Sequence, residues 1–209
     1  MIGGTVFVNG KGFLPENIRI HMTKYGHALE LFTKREIDWE AAQYNHTETI
    51  IPLTEEIWKD RRFGLVNKYG SPWQYANADG DILMSCGARK SGGEMTPLAL
   101  YLNDHDRFAI KVPKAEFKPD AEQKHRMMAY ALDVCFYNKR PYEKAMFLKW
   151  ILKVNTGIDL GKHDDTKIYC YELSDEFNEL NGYSKLTEKK LIDIFYLWSN
   201  PYKELYLTT

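Results

Sequence analysis

The sequence predicts an α+β fold in which strands precede helices along the chain. Short β-prone runs bounded by turn residues dominate the first half, whereas the residues after Pro119 show mainly helical periodicity. Runs of strands followed by runs of helices are typical of α+β proteins. The chain has 209 residues, the length of one domain with a substantial core. We therefore expect a single domain over residues 1–209, with an antiparallel sheet packed against helices.

Composition and charge argue against several classes of partner. Hydrophobic residues make up 44% of the chain and charged residues 27%, which is ordinary for a globular protein, and the formal net charge is -1. This balance gives no reason to expect nucleic acid or an anionic membrane as a partner. The sequence shows neither a secretory signal nor an apolar run of the ~20 residues that span a bilayer. We expect a cytoplasmic protein with no integral membrane segment.

The first half of the chain contains the predicted strands. Each is a β-prone run next to turn residues, and the runs lie at Thr5–Val8, His27–Phe32, Ile37–Ala41, Thr47–Ile51, Asp81–Ser85, Leu98–Leu102 and Phe108–Val112.

Helices are predicted where a capping residue precedes an apolar stripe at helical spacing. Pro15 and Thr54 are suited to helix starts, and the later stripes occur mainly after Pro119. The predicted helices cover Pro15–Thr23, Thr54–Phe63, the segment around Met128–Cys135, Glu143–Val154, Cys170–Asn181 and Thr187–Trp198.

A hairpin is predicted around Thr33 and Lys34. If the turn has two residues, His27 lies opposite Glu40, and both side chains point to the same face of the sheet. The hairpin would therefore bring an imidazole and a carboxylate together.

The stretch over residues 64–100 is the least regular part of the chain. Glycine recurs in it, and regular periodicity is weak apart from the possible strand at Asp81–Ser85. We interpret residues 64–100 as an insertion or lid within the domain.

Cys170 follows the short β-prone run Lys167–Tyr169 and opens a helix. Leu173, Phe177 and Leu180 form the apolar stripe of that helix at i, i+4 and i+7. At a helix N-terminus the dipole favours thiolate over thiol, and the cysteine N–H is free to face an oxyanion. Two interpretations follow: a reactive nucleophile, or a small residue buried in the core.

The other cysteines and histidines indicate neither a disulfide framework nor a metal site. The three cysteines are widely spaced, and Cys135 lies on the apolar face of its helix, which favours a core position. We therefore expect no cofactor and no metal, because no Cys or His pairing at zinc spacing involves the remaining histidines, which are His21, His46, His105, His125 and His163.

Several short motifs carry a family resemblance. They are Gly4-Thr5-Val6-Phe7-Val8-Asn9-Gly10-Lys11-Gly12-Phe13, Tyr25-Gly26-His27-Ala28-Leu29-Glu30-Leu31, Trp39-Glu40-Ala41, Phe108-Ala109-Ile110-Lys111-Val112-Pro113, Asn138-Lys139-Arg140-Pro141-Tyr142 and Tyr169-Cys170-Tyr171-Glu172-Leu173. In this order they resemble the circularly permuted, NlpC-type papain-like cysteine hydrolases, a superfamily that includes proteins like lecithin:retinol acyltransferase. Permutation accounts for a histidine that precedes the cysteine. The resemblance covers most of the chain outside residues 64–100.

The resemblance implies a permuted papain-like fold and a catalytic set of Cys170, His27 and Glu40. Cys170 would attack a carbonyl carbon, His27 would transfer protons, and Glu40 would orient the imidazole. The Cys170 N–H would be one oxyanion donor.

Three tyrosines complete the implied site. Tyr169 or Tyr25 would add a hydroxyl to the oxyanion site. Tyr171 stands where the family usually has serine, so it would shape what the site accepts.

The implied function is that of a thiol peptidase or amidase. We expect hydrolysis of an amide bond, in a peptide or a peptidoglycan-like fragment, through a thioester intermediate. A lipid acyltransferase or thioesterase is the first alternative, with a small acyl substrate. A non-catalytic interaction module on the same fold is the second, because a fold does not determine a function.

Overall fold

The computed structural model describes residues 1–10, 14–34, 36–143, 167, 169–183 and 192–209. The described strands form a six-stranded antiparallel sheet with the order β4-β3-β2-β1-β5-β6. Their bounds are β1 (Thr5–Val8), β2 (His46–Leu53), β3 (Ile82–Arg89), β4 (Gly92–Pro97), β5 (Phe108–Pro113) and β6 (Lys203–Thr208). The predicted α+β class, with an antiparallel sheet packed against helices, is confirmed.

Helices cover both faces of the sheet. The described ones are α1 (Pro15–Thr33), α2 (Glu55–Lys59), α3 (Leu65–Tyr69), α4 (Leu98–Asn103), α5 (Ala121–Leu132), α6 (Cys170–Leu180) and α7 (Ile194–Trp198). A π-helical turn at Asp133–Tyr137 follows α5 directly. Helices α5 and α6 lie on one face of the sheet, and α4 lies on the other. Within the described ranges no helix has both the length and the apolar character needed to cross a membrane.

Strand β2 is buried on both faces, and its side chains alternate between them. Ile51 packs in the cluster that contains residues of α5 and α6, whereas Ile50 packs in the cluster that contains residues of α4. Successive strand residues point to opposite faces. Thr47 therefore faces α6, and Glu48 faces α4.

Polar contacts hold α6 on the sheet at both of its ends. At the N-terminal end, the Thr47 hydroxyl donates to the Cys170 carbonyl at 3.3 Å and contacts the Ser174 hydroxyl at 3.0 Å. Near the C-terminal end, the buried Lys203 ammonium donates to the Asn178 side chain at 2.5 Å. These contacts fix the position of the first turn of α6 relative to β2.

The strand predicted at His27–Phe32 is wrong, because helix α1 continues through it to Thr33. The run contains Ala, Leu and Glu, which are strong helix formers. Gly26 is not a break: a Cβ there would lie 2.7 Å from Cζ3 of Trp39, so the glycine makes room for that ring.

The strand predicted at Ile37–Ala41 is also wrong. The chain forms a 3₁₀ turn over Trp39–Gln43, and Asp38 caps it by accepting from the Glu40 N–H at 3.1 Å. The predicted hairpin around Thr33 and Lys34 is therefore not formed.

Residues 64–100, predicted as an insertion or lid, contain regular structure and form part of the sheet. They supply β3 and β4, and β3 pairs with β2 inside the sheet. Leu98–Leu102, predicted as a strand, lies in helix α4. The irregular part is confined to the short segments that precede β3.

Other predicted elements are confirmed. The strand predictions for β1, β2, β3 and β5 hold, Thr54 caps α2, and α6 ends just before Asn181. Three predictions lie wholly or partly outside the described residues, namely the run Lys167–Tyr169 and the helices over Glu143–Val154 and Thr187–Trp198.

The core under α6 gives the first testable prediction. Leu173 is fully buried in the cluster between α6 and the sheet, whereas Leu31 on α1 is 64% exposed. We expect Leu173→Ala to lower the free energy of unfolding by about 3 kcal/mol, because it leaves a cavity. The matched control Leu31→Ala should change it by less than about 0.5 kcal/mol. Urea denaturation measures both, and equal effects would contradict this packing.

Candidate active site

Cys170 is the first residue of α6, as predicted. Its backbone N–H belongs to the first turn of the helix, where the N–H groups have no acceptor within the helix. The residue is 5% exposed, and it lies in an apolar cluster with aromatic side chains from α1 and α7. The thiol is therefore at the positive end of an eleven-residue helix and largely shielded from water.

His46 is the histidine beside Cys170. It is the first residue of β2, and its imidazole is close enough to Cys170 for the two side chains to interact electrostatically. Nε2 of the same ring lies 3.3 Å from Oε1 of Glu48. Because the side chains at i and i+2 of a strand point to the same face, the spacing of His46 and Glu48 in β2 brings them together.

Glu48 is a fully buried carboxylate with several donors. Arg89 donates from Nε to Oε1 at 2.7 Å and from Nη2 to Oε2 at 2.8 Å. The Ser85 hydroxyl donates to Oε2 at 2.5 Å. The side chain of Glu48 is 0% exposed, whereas that of His46 is 18% exposed. A charge this deeply buried persists only with such partners.

The electrostatics of the site favour a charged imidazole. Burial by itself lowers the pKa of His46, but interactions with Cys170 and the hydrogen bond to Glu48 outweigh it and raise the pKa of His46 to about 10. Burial by itself raises the pKa of Glu48, but hydrogen bonds from His46 and Arg89 lower it to about 2. At neutral pH the imidazole of His46 is therefore charged and is paired with the carboxylate of Glu48.

Tyr142 supplies a hydroxyl next to the thiol. Its phenol is close enough to Cys170 for the two side chains to interact electrostatically. Burial and then the negative charge of Cys170 raise the pKa of Tyr142 above its ordinary value. The phenol stays protonated at neutral pH, so it can donate a hydrogen bond.

The tyrosines predicted from the sequence have other partners. The Tyr169 hydroxyl donates to the Ile192 carbonyl at 3.3 Å and accepts from the Ile192 N–H at 3.2 Å. The Tyr171 hydroxyl donates to the Asn45 carbonyl at 2.7 Å. Tyr25 is buried, and its ring packs 6.0 Å from that of Phe195. All three lie in the apolar cluster around Cys170.

The structure does not bring His27 and Glu40 to Cys170. The side chain of His27 is 67% exposed, and Nδ1 lies 3.4 Å from a carboxylate oxygen of Glu30. Its ring lies 4.5 Å from that of Trp39. Glu40 is exposed in the first turn of the 3₁₀ segment. No hydrogen bond within the described part of the chain joins His27 or Glu40 to the thiol.

The sequence contained a usable signal for His46 and Glu48. A histidine and a glutamate two residues apart open a run that is otherwise buried and β-prone, and period-two spacing places them on one face. The predicted strand began at Thr47, one residue too late to include His46. Ser85 and Arg89 were missed because their strand was assigned to an insertion.

Among the described residues, no cluster of His, Cys, Asp and Glu side chains could hold a metal ion. Comparison of the chain with protein-family models and with curated proteins finds no match. The assignment of a function therefore depends on the geometry of the site.

The buried Glu48 carboxylate makes the free energy of unfolding depend on pH in the acidic range. The pKa of Glu48 falls from its ordinary value of 4.5 to about 2, so its stabilising contribution is present above pH 4.5 and is lost as the pH falls towards 2. Over this pH range we expect the free energy of unfolding of the wild type to fall by about 3 kcal/mol more than that of Glu48→Gln.

Urea denaturation at a series of pH values measures the acid dependence of each variant. Glu48→Gln should be less stable than the wild type at neutral pH, because it leaves Arg89 without its carboxylate partner. The control Glu122→Gln alters a side chain that is 78% exposed and should follow the wild type. The prediction would be contradicted if the free energy of unfolding changed with pH in the same way in the wild type and in Glu48→Gln.

Proposed function

We propose that the protein is a cysteine-dependent hydrolase that cleaves an amide bond through a thioester intermediate. Cys170 is the nucleophile, His46 transfers protons, and Glu48 orients and stabilises the imidazolium. One observation carries the proposal: the imidazole of His46 contacts the buried carboxylate of Glu48 and interacts electrostatically with the Cys170 side chain.

In the first step, the Cys170 sulfur attacks the carbonyl carbon, and the π electrons move to oxygen. The Cys170 N–H and the Tyr142 hydroxyl would be two donors for that oxyanion. When the C–N bond breaks, the leaving amine takes the proton from His46. The products of this step are a thioester on Cys170 and a neutral imidazole.

In the second step, His46 accepts a proton from water as the water attacks the thioester carbon. The second tetrahedral species expels the Cys170 thiolate and releases a carboxylic acid. The thiolate and the imidazolium are thereby restored.

The resemblance to the permuted papain-like superfamily supports this proposal in a corrected form. The histidine would still precede the cysteine in the chain, but the strand that would carry it is β2, because Tyr25–Leu31 lies in helix α1. The helix that would carry the nucleophile begins at Cys170. The superfamily assignment is part of the proposal, and it suggests a peptide or peptidoglycan-like fragment as substrate.

Acyl transfer is a second candidate function, and the low exposure of Cys170 favours it. The thiol lies among aromatic and aliphatic side chains and is 5% exposed, which limits the access of water to a thioester. An amine or alcohol acceptor could then compete with water for the acyl group. Incubation with a long-chain acyl thioester, with and without a primary amine, distinguishes transfer from hydrolysis by mass spectrometry of the products.

The proposal predicts a reactive thiol that depends on His46. We expect iodoacetamide to alkylate Cys170 near pH 6 at least about tenfold faster than it alkylates glutathione, because a neighbouring imidazolium stabilises the thiolate. His46→Ala should remove most of this advantage. Peptide mass spectrometry gives the alkylation rate at Cys170 separately from Cys86 and Cys135.

His27→Ala is the matched control, because His27 is exposed and pairs with Glu30. It should leave the alkylation rate unchanged. The proposed enzyme would be rejected in favour of the non-catalytic module if Cys170 in the wild type is alkylated no faster than glutathione and His46→Ala does not change that rate. An effect of His27→Ala as large as that of His46→Ala would contradict the site described here.

Tyr142 gives a prediction that separates acylation from alkylation. We expect Tyr142→Phe to slow acetylation of Cys170 by p-nitrophenyl acetate by up to about 100-fold, because one oxyanion donor is lost. Alkylation by iodoacetamide forms no oxyanion, so its rate should change much less than the acetylation rate. Tyr169→Phe is the control, since that hydroxyl bonds to the backbone of Ile192. Equal effects of the two variants on acetylation would exclude this role for Tyr142.

A further inference from the structure

We infer that Arg89 is a positioning residue for the proposed reaction, acting through Glu48. The inference rests on the proposed function, and it adds the cradle formed by Ser85, Gly87 and Arg89 on one face of β3. This cradle holds the Glu48 carboxylate in the orientation and charge state that His46 requires.

The first support is that both oxygens of the Glu48 carboxylate have two donors. Oε1 lies 3.3 Å from His46 Nε2 and accepts from Arg89 Nε at 2.7 Å. Oε2 accepts from Arg89 Nη2 at 2.8 Å and from the Ser85 hydroxyl at 2.5 Å. The guanidinium fork thus binds both oxygens at once, which prevents rotation of the carboxylate.

The second support is that Arg89 is itself held by neighbouring elements. Nη1 donates to the Thr96 hydroxyl at 2.8 Å and lies 3.5 Å from Glu94 Oε2, both on β4. The guanidinium also lies over the ring of Tyr101 on α4, 4.9 Å from its centroid. The position of the fork is therefore set by contacts to β4 and α4 as well as by β3 itself.

The third support is the spacing of the cradle along β3. Residues 85, 87 and 89 are two apart, so their side chains share the face of the sheet that carries Glu48. Gly87 leaves the space that Glu48 fills: a Cβ at Gly87 would lie 2.4 Å from Cγ of Glu48. A strand that supplied a serine, a gap and an arginine at other spacings could not surround this carboxylate.

The charges around Glu48 give Arg89 a specific role. The titratable groups near it are His46 on β2, Tyr101 on α4, Cys86 on the opposite face of β3 and, beyond His46, Cys170 on α6. Burial is the largest effect that raises the pKa of Cys86 and of Tyr101, so both stay neutral at physiological pH. Arg89 is the cation whose charge does not depend on pH.

Without Arg89, burial would favour the protonated form of Glu48 in mild acid. The imidazolium of His46 would then lose its anionic partner. We therefore expect the loss of Arg89 to affect Cys170 reactivity most strongly at acidic pH.

The test is a pH series of iodoacetamide alkylation at Cys170. We expect Arg89→Met to slow alkylation by about tenfold near pH 5.5 and by no more than about twofold near pH 8, which corresponds to a shift of about one pH unit in the acid limb. Arg89→Lys should recover part of the loss, because it keeps the charge but not the fork. The control Arg62→Met removes a similar fork to Asp60 on the surface and should behave as the wild type.

Two further variants test whether Arg89 acts through Glu48. In a Glu48→Gln background, Arg89→Met should change the alkylation rate by no more than about twofold, because the group through which it acts is already neutral. Gly87→Ala displaces Glu48 while every charge is retained, and it should reproduce the acid-dependent loss. If Arg89→Met does not fold, Arg89→Lys and Gly87→Ala provide the same comparison.

The outcomes separate this inference from the proposed function. The role of Arg89 is overturned if folded Arg89→Met has the same acid limb as the wild type, or if its alkylation is slowed equally at every pH. The proposed function still stands in that case, provided that Cys170 is alkylated rapidly in the wild type and slowly in His46→Ala. A wild-type thiol that reacts like glutathione at all pH values overturns both.

Discussion

The burial of one carboxylate is the constraint on which the rest of the site depends. Glu48 is 0% exposed in a strand that is covered on both faces. Taking a carboxylate out of water costs several kcal/mol, and the cost is offset only by close donors and opposite charge. The neighbouring strand β3 therefore supplies Arg89 and Ser85, and β2 itself supplies His46. The residues of the site are thus the ones that compensate the buried charge of Glu48.

Strand β2 connects the buried carboxylate to helix α6. Its side chains alternate, so Thr47 contacts the first turn of α6 while Glu48 faces the opposite layer. His46, at the start of the strand, contacts Glu48 and interacts electrostatically with Cys170. Because Thr47 and Glu48 are adjacent in one strand, the position of α6 relative to the Glu48 carboxylate depends little on loops. Sites built on strands and helices are more exactly held than sites built on loops.

The three cysteines differ in environment rather than in residue type. Cys86 and Cys135 lie in the core with their sulfur atoms 3.7 Å apart, and burial raises the pKa of Cys86. Cys170 is as buried as Cys135, but it interacts electrostatically with the imidazole of His46 and it begins a helix. Burial alone makes a cysteine inert, and a cationic neighbour at a helix N-terminus makes it reactive.

The sequence by itself determined the local features of the protein: the class of fold, several strands, and the helix that begins at Cys170. These features depend on residues close in the chain, such as the stripe of Leu173, Phe177 and Leu180, so short-range periodicity predicts them. Only the tertiary structure decided which histidine meets the thiol. The segment from His27, predicted as a strand, contains strong helix formers, and it continues helix α1, with the ring of Trp39 packed against Gly26. The contact between Cys170 and His46 joins residues far apart in the chain, and local periodicity carries no information about such pairs.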